Sequence, residues 1–262
     1  MTSRLPEPAV LESIAGEAAR AAARVITLTY GSPDPVGRKS SPTDVVTQTD
    51  LRAEELVRRL LSEATPRAGV LAEEGGTSGA EARLQWVIDP LDGTINFLYG
   101  VPVFAVSIAA AVDGEVVAGA VVDVLRDELF SACGGGGARR DGMPIAVSGC
   151  EALPDALVAT GFSYQASVRS LQGEVAQRLL SQARDLRCFG SAALELCWVA
   201  CGRLDGYYQR DTEVWDRAAG ALIAREAGAR VELPCPENDD LVIAATAGVF
   251  DELWGAVQPA AV

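Results

Sequence analysis

The sequence predicts a layered α/β protein with two subdomains, on three observations. It opens on two amphipathic helical patterns, passes through a block of short β-branched runs, and from about residue 168 alternates helical and strand-like runs. At about 150 residues per domain, 262 residues hold one large or two modest domains with a substantial core. The expected division is an N-terminal subdomain over 1–145, two helices plus an antiparallel sheet, and a C-terminal α/β subdomain over 146–262, joined near Met143 to Pro154.

Val10, Ile14, Ala18, Ala21, Val25 and Leu28 recur at intervals of three and four, on one stripe of a long first helix. Gly31 to Pro42, rich in Gly, Ser and Pro, ends it as a surface loop carrying Lys39. A second helix is expected from Leu51 to Ala64, with Leu56, Val57, Leu60 and Leu61 inward, Thr49 or Asp50 as N-cap and Pro66 as its stop. Strand-like runs follow at Gly69 to Leu71, Gln85 to Ile88, Val103 to Val112, Val116 to Val124 and Leu129 to Ala132. Asp113-Gly114 tolerates positive φ at both positions, so it predicts a hairpin and an antiparallel pair. Gly134 to Gly137 reads as a loop, because a phosphate cradle needs a following Lys-Ser/Thr or a helix. Beyond it, helices are expected over Val168 to Ala183, Ala192 to Cys201, Asp216 to Ala227 (closed by Gly228) and Val249 to Val257. Strands are expected at Leu186 to Phe189, Leu204 to Tyr208, Arg230 to Leu233 and Leu241 to Ala245.

Composition narrows the chemistry. There is no histidine, which excludes Ser-His-Asp and Cys-His hydrolases, histidine phosphotransfer and histidine-ligated zinc or haem. The 22 Lys plus Arg against 36 Asp plus Glu give a formal charge of -14, which repels a phosphate backbone, so no nucleic-acid partner is expected. Cys133, Cys150, Cys188, Cys197, Cys201 and Cys235 contain no Cys-x-x-Cys pair, and a reduced, cytoplasmic compartment fits. Cys197 and Cys201, four apart in an apolar stretch, read as core. Glu7, Glu12 and Glu17 speak against a secretory leader, and the apolar run Val101 to Val112, interrupted by Ser107, is too short for a bilayer, so no membrane association is expected.

The informative segment is Trp86-Val87-Ile88-Asp89-Pro90-Leu91-Asp92-Gly93-Thr94-Ile95-Asn96-Phe97, a buried strand running into two acids and a Gly-Thr turn. Pro90 disfavours helix at Asp89 and Gly93 permits tight backbone geometry, so the two carboxylates can converge. Two carboxylates about 4 Å apart repel by about 1 kcal/mol in water and several times more where water is scarce, so the pair wants a cation, and oxygen ligands alone favour Mg²⁺ over Zn²⁺. A helical turn from Thr94 would aim free N–H groups at the same point and attract phosphate. Read singly, Asp89 to Gly93 is also an acidic turn, Glu73-Glu74 a pair of solvated loop acids and Asp216 a helix cap.

Taken in order, Glu73-Glu74, Asp89 to Phe97 and Trp215-Asp216-Arg217-Ala218-Ala219-Gly220 resemble the motifs of the inositol monophosphatase family, bacterial branch. Lys39 to Asp44, Thr47 to Asp50, Gly190-Ser191-Ala192-Ala193 and Asp205 to Tyr208 are similar to its other segments. The resemblance implies an αβαβα sandwich, commonly a homodimer, acting as a Mg²⁺-dependent phosphomonoesterase on small phosphate monoesters and often inhibited by Li⁺. It implies one Mg²⁺ on Glu73, Asp89 and the Leu91 carbonyl, a second on Asp89, Asp92 and Asp216, and a third through Glu73 and waters. It implies phosphate held by Gly93 and Thr94, attacking water oriented by Thr94 and Asp50 with Glu73, and substrate contacts from Asp92, Ala192, Gln209 and Asp216.

Two positions depart from the family pattern. Ala72 stands where Gly is common, and Gln209 stands where inositol-specific members commonly carry Glu, so a charge-assisted acceptor is lost. Asp211 or Glu213 could take that place in a rearranged loop. Inositol monophosphate ranks first as substrate, with histidinol phosphate, fructose 1,6-bisphosphate and 3′-phosphoadenosine phosphate as alternatives. A non-catalytic regulatory binding protein of the same fold is the reading of a different class.

Overall fold

The computed structural model describes residues 5–38, 45–235 and 240–258, so Lys39 to Asp44 of the sequence reading lie outside the described residues. Helix α1 (Pro8–Thr29) leads to the antiparallel pair β1 (Pro35–Arg38) and β2 (Val45–Thr47), then α2 (Gln48–Ala64). Next come β3 (Gly69–Ala72), β4 (Gly76–Ser78), β5 (Leu84–Asp92) and the short helix α3 (Thr94–Tyr99). Strands β6 (Ala105–Val112), β7 (Glu115–Asp123), β8 (Glu128–Cys133), β9 (Ala138–Arg140) and β10 (Met143–Pro144) complete an eight-stranded sheet, ordered β10-β9-β8-β7-β6-β5-β3-β4. Its pairs are antiparallel except β3 with β5. The expected hairpin joins β6 to β7, with Asp113 and Gly114 both at positive φ.

The second half runs β11 (Leu157–Thr160), α4 (Ala166–Leu179), β12 (Asp185–Arg187), α5 (Ala192–Ala200), β13 (Gly206–Gln209), α6 (Val214–Glu226), β14 (Arg230–Glu232), β15 (Val242–Ala245) and α7 (Ala247–Val257). Its five strands are ordered β12-β11-β13-β15-β14. Helices α1 and α2 cover one face of the large sheet, α5 and α6 fill the space between the two sheets, and α4 with α7 backs the small sheet, giving five layers α, β, α, β, α. The middle layer is tight: a Cβ on Gly220 of α6 would stand 2.8 Å from the Cβ of Leu196 on α5. Among the described residues no helix is long and apolar enough to cross a membrane.

Several elements differ from expectation. On α1 the buried stripe is Leu11, Ala15, Ala18, Ala19, Ala22, Ala23 and Ile26, while Val10 and Leu28 are 50% and 86% exposed. The inner face is alanine-rich between Leu11 and Ile26, because small residues let the helix lie close on the sheet. Helix α2 begins three residues early, at Gln48, since Thr47 is its N-cap and Asp50, at the third helical position, completes a capping box. Part of the expected Gly31 to Pro42 loop is β1. Helix α4 ends at Leu179, and β12 stops at Arg187. The interior strand β11 is absent from the sequence reading. The glycine loop Gly134 to Gly137 holds an anion of its own chain, the N–H groups of Gly135 and Gly137 each donating to Glu226 at 2.9 Å.

Where the chain enters the small sheet it is strapped down by Asp205, immediately before β13. Its Oδ2 accepts the Leu157 N–H at 2.7 Å and its Oδ1 accepts the Ser148 hydroxyl at 2.5 Å, while Thr246 Oγ1 donates to the Cys150 carbonyl at 2.7 Å. Asp205→Ala leaves one backbone donor and one hydroxyl without their acceptor and should cost about 1–3 kcal/mol. An unchanged urea midpoint for that variant would contradict the strap.

Candidate active site

The site begins with a break in a ladder. Along β5 the pairing with β6 goes from Asp89↔Ser107 to Asp92↔Ala105, three steps on one strand against two on the other. In a regular strand residues three apart point to opposite faces; one extra residue turns Asp92 to the face of Asp89. Pro90, which lacks an N–H, sits in that bulge. Asp89 is 2% exposed and Asp92 8%.

Other segments deliver acids to this strand end. Strand β3 runs parallel to β5 with Ala72 beside Ile88, so Glu73 leaves its strand next to Asp89, and the Glu73 N–H donates to the Ile88 carbonyl at 3.2 Å. Asp216 sits in the first turn of α6, and Ser107, the partner of Asp89 in the ladder, donates its hydroxyl to the Trp215 carbonyl at 3.2 Å. Asp50, fully buried on α2, accepts the Thr94 hydroxyl on Oδ1 at 3.0 Å.

Asp89, Asp92 and Asp216 are each held by one oxygen, and Asp50 by both. Asp89 Oδ1 accepts the Leu91 N–H at 2.9 Å. Asp92 Oδ2 accepts Ser191 Oγ at 2.6 Å and the Ala193 N–H at 2.8 Å, with Ala192 adding backbone hydrogen bonding. Asp216 Oδ2 accepts the Glu213 N–H at 2.8 Å. Asp50 Oδ2 accepts the Thr47 N–H at 2.9 Å and the Thr47 hydroxyl.

The acids feel one another. Burial, then the charges of Glu73, Asp92 and Asp216, holds the Asp89 carboxyl well above the ordinary range. Burial pushes Asp92 up to about 6, against the hydrogen bonds from Ser191 and Ala193, and burial with the Asp92 charge pushes Asp216 up to about 7. Among the described residues no three side chains already close around a point at coordination distance. The donor set nonetheless fits a hard divalent cation: it is all oxygen, Asp89 and Asp92 are buried with Glu73 and Asp216 half-buried beside them, and its repulsion is what a cation would relieve.

Gly93 is the N-cap of α3 at φ +92, where a Cβ would meet the Val103 and Gly190 carbonyls at 3.0 and 3.1 Å. Glycine is therefore required for the chain to leave β5 and start the helix that carries Thr94. Gln209 ends β13 with Oε1 accepting the Tyr207 hydroxyl at 2.9 Å. Asp211 accepts the Ser163 hydroxyl and is engaged elsewhere, while Glu213 is the N-cap residue of α6, its N–H donating to Asp216.

Sequence reading missed the supports. Glu54, 3% exposed on α2, accepts the N–H groups of Glu74 and Gly75 at 2.8 Å each and pairs with Arg58 at 2.7 Å, fixing the turn that carries Glu73. Its signal was the i,i+4 Glu-Arg spacing, which is common on solvated helices. For Ser107 the signal was the one polar side chain in an apolar run, and for Thr47 the Thr-x-x-Asp capping pattern.

Comparison with known proteins gives the family and the fold. The sequence profile of the inositol monophosphatase family matches residues 7–258. An inositol-1-monophosphatase SuhB of Mycobacterium tuberculosis is 45% identical, covering 98% of this chain and 97% of that protein. A protein named Nus factor SuhB from Pasteurella multocida is 38% identical over 94% and 95% of the two chains. The crystal structure of the extragenic suppressor protein suhB from Bartonella henselae superposes with a TM-score of 0.89 at 33% identity, covering 96% of this chain and 100% of that one. With a profile match and relatives this similar along nearly the whole length, the chain belongs to the inositol monophosphatase family and is a phosphomonoesterase.

Proposed function

We propose that this protein hydrolyses inositol monophosphate, or a similar small polyol or sugar phosphate, to the alcohol and inorganic phosphate with Mg²⁺ held by its acid cluster. The observation that carries the reading is the gathering of Glu73, Asp89, Asp92 and Asp216 at a bulged strand end, where burial and neighbouring charge raise the pKa values of the three aspartates. In this reading Glu73, Asp89 and the Leu91 carbonyl hold one ion, Asp89, Asp92 and Asp216 a second, and Glu73 contributes to a third. Bound Mg²⁺ supplies a polarised phosphoryl group, a more acidic water and a counter-charge for the leaving alkoxide.

The chain's own groups handle the water. Thr94 Oγ1 has one proton and lies 3.0 Å from each of two acceptors, Asp50 Oδ1 and the Leu91 carbonyl. Its proton is thereby directed inward, and its lone pairs can accept a hydrogen bond from an attacking water, whose proton passes to Thr94 Oγ1 as the Thr94 proton passes to Asp50. Asp50 keeps this orientation because its other oxygen is taken by Thr47. The Gly93 and Thr94 N–H groups at the start of α3 are assigned to phosphate oxygens, and Ala192 and Gln209 to the alcohol part of the substrate.

The name of the mycobacterial relative supports inositol 1-phosphate as the first substrate to try. The name of the Pasteurella relative supports the regulatory-protein reading, against which stands the intact acid set, a burden to fold stability without a cation. Phosphate release from inositol 1-phosphate, histidinol phosphate, fructose 1,6-bisphosphate and 3′-phosphoadenosine phosphate, with and without Mg²⁺, separates these readings. Mg²⁺-dependent release is expected, greatest with inositol 1-phosphate; no release from any of the four favours the regulatory protein.

Asp89→Asn should lower turnover by about a hundredfold or more, since loss of even an outer partner of a metal ligand costs about 10–100-fold; near-normal turnover would refute the ligand assignment. Metal-free stability gives a second check. Asp92 and Asp216 have raised folded-state pKa values, so the folded protein binds more protons than the unfolded chain. The stability they contribute is full below their ordinary pKa of about 4 and is lost as pH rises through about 6 and about 7. In chelator the melting temperature should fall from about pH 5 to about pH 8, and Mg²⁺ should restore more of it at the higher pH; equal Mg²⁺ shifts at both would contradict the cluster. Gln209→Glu keeps the bond from Tyr207 through one oxygen and replaces the amide donor by a charged acceptor. The ratio of kcat/KM for inositol 1-phosphate over a simple sugar phosphate should rise by several-fold, and an unchanged ratio would remove Gln209 from the substrate contacts.

A further inference from the structure

The segment Phe189-Gly190-Ser191 lies between α3 and α5 and is gripped from both. From α3, Asn96 Nδ2 donates to the Phe189 carbonyl at 2.6 Å and to the Val103 carbonyl at 2.8 Å. From α5, Glu195 Oε1 accepts the Phe189 N–H at 2.7 Å, and the Glu195 N–H donates to the Ser191 carbonyl at 3.0 Å. The gripped segment presents Ser191 Oγ, and with it the Ala193 N–H, to Asp92 Oδ2. It also sets the Gly190 carbonyl against Gly93.

Glu195 is fully buried and its Oε2 has no hydrogen-bond partner among the described residues. An ionisable side chain in that position is costly to the fold unless its acceptor oxygen does something an apolar residue cannot. We propose that Glu195 is a positioning residue: by holding the Phe189 backbone it sets the Ser191 and Ala193 donors that turn Asp92 toward the bound cation and phosphate. The last clause rests on the phosphatase reading; the grip on residues 189–193 does not. Burial holds the Glu195 carboxyl well above its usual range, so a neutral amide of the same shape is a close mimic of it.

The test compares the metal-free full chain with Glu195→Gln, which keeps a carbonyl acceptor for Phe189, and Glu195→Leu, which keeps bulk and removes the acceptor. Two readouts are taken: amide hydrogen exchange across residues 189–193, and Mg²⁺ affinity by calorimetry. Glu195→Gln is expected to match the wild type in both. Glu195→Leu is expected to exchange faster across 189–193 and to bind Mg²⁺ about 10–100-fold more weakly at a retained melting temperature. Wild-type Mg²⁺ affinity and wild-type protection in Glu195→Leu would overturn the proposal. If Glu195→Leu does not fold, Asn96→Ala cuts the grip from the half-buried α3 side and must weaken Mg²⁺ binding likewise; wild-type affinity there overturns it too. Absence of Mg²⁺ binding in the wild-type chain is a different failure, that of the phosphatase reading.

Discussion

Like charges kept together out of water are the constraint around which this fold is arranged. A carboxylate pair about 4 Å apart repels by about 4 kcal/mol at the effective dielectric of a protein surface, and here Asp89 is under the influence of Glu73, Asp92 and Asp216 together. Nothing in such a cluster holds itself in place. Three of the acids are restrained by donors on one side, Leu91 on Asp89, Ser191 and Ala193 on Asp92, and Glu213 on Asp216, while the turn that carries Glu73 is held by Glu54, which accepts its N–H groups. These bonds direct the carboxyls without neutralising them.

The restraints come from different layers. Strand β5 belongs to the large sheet, Ser191, Ala193 and Asp216 belong to the helical layer between the sheets, and Asp50 with Glu54 belongs to the outer helix α2. Ser107 joins the first two, its backbone paired with Asp89 and its hydroxyl on Trp215. Taken as subdomains, 1–145 would hold Glu73, Asp89 and Asp92 and 146–262 would hold Asp216, so neither could complete the acid set alone. The close contact of α5 and α6 at Gly220 and the strap at Asp205 therefore bear on the site as well as on stability.

Local chemistry made much of this legible. Pro90 and Gly93 mark where β5 must break, and Asp113-Gly114 marks the hairpin of β6 and β7, because proline and glycine act on the backbone through sterics that need no partner. Phase and support were less legible. The inner face of α1 is chosen by the sheet it lies on, which accepts Ala15 and Ala19 and leaves Leu28 outside. Strand β11, four residues long, is defined by its neighbours β12 and β13 on either side. Glu54 and Ser107 find their roles 20 and 108 residues away, and sequence separation hides such pairs from any pattern of local spacing. Even the pair at Asp89 and Asp92 was read from residue type, while the extra residue that puts both on one face depends on how β6 pairs with it.

Four helices start at the site: α2 with Asp50 in its first turn, α3 capped by Gly93, α5 offering the Ala193 N–H, and α6 with Asp216 in its first turn. Their N-termini present partial positive charge to the acids. The magnitudes decide what this can do. A helix terminus contributes roughly 0.3–1 kcal/mol at the surface and up to about 2 where partly buried, and α3 has only six residues, whereas taking each ion out of water costs several kcal/mol. The helix ends lower the cost of gathering the acids and leave a deficit. Protons meet that deficit in the metal-free chain, as the raised values of Asp92 and Asp216 record. In the proposed enzyme a divalent cation meets it instead, and the same unmet charge that weakens the empty fold becomes the affinity that loads it.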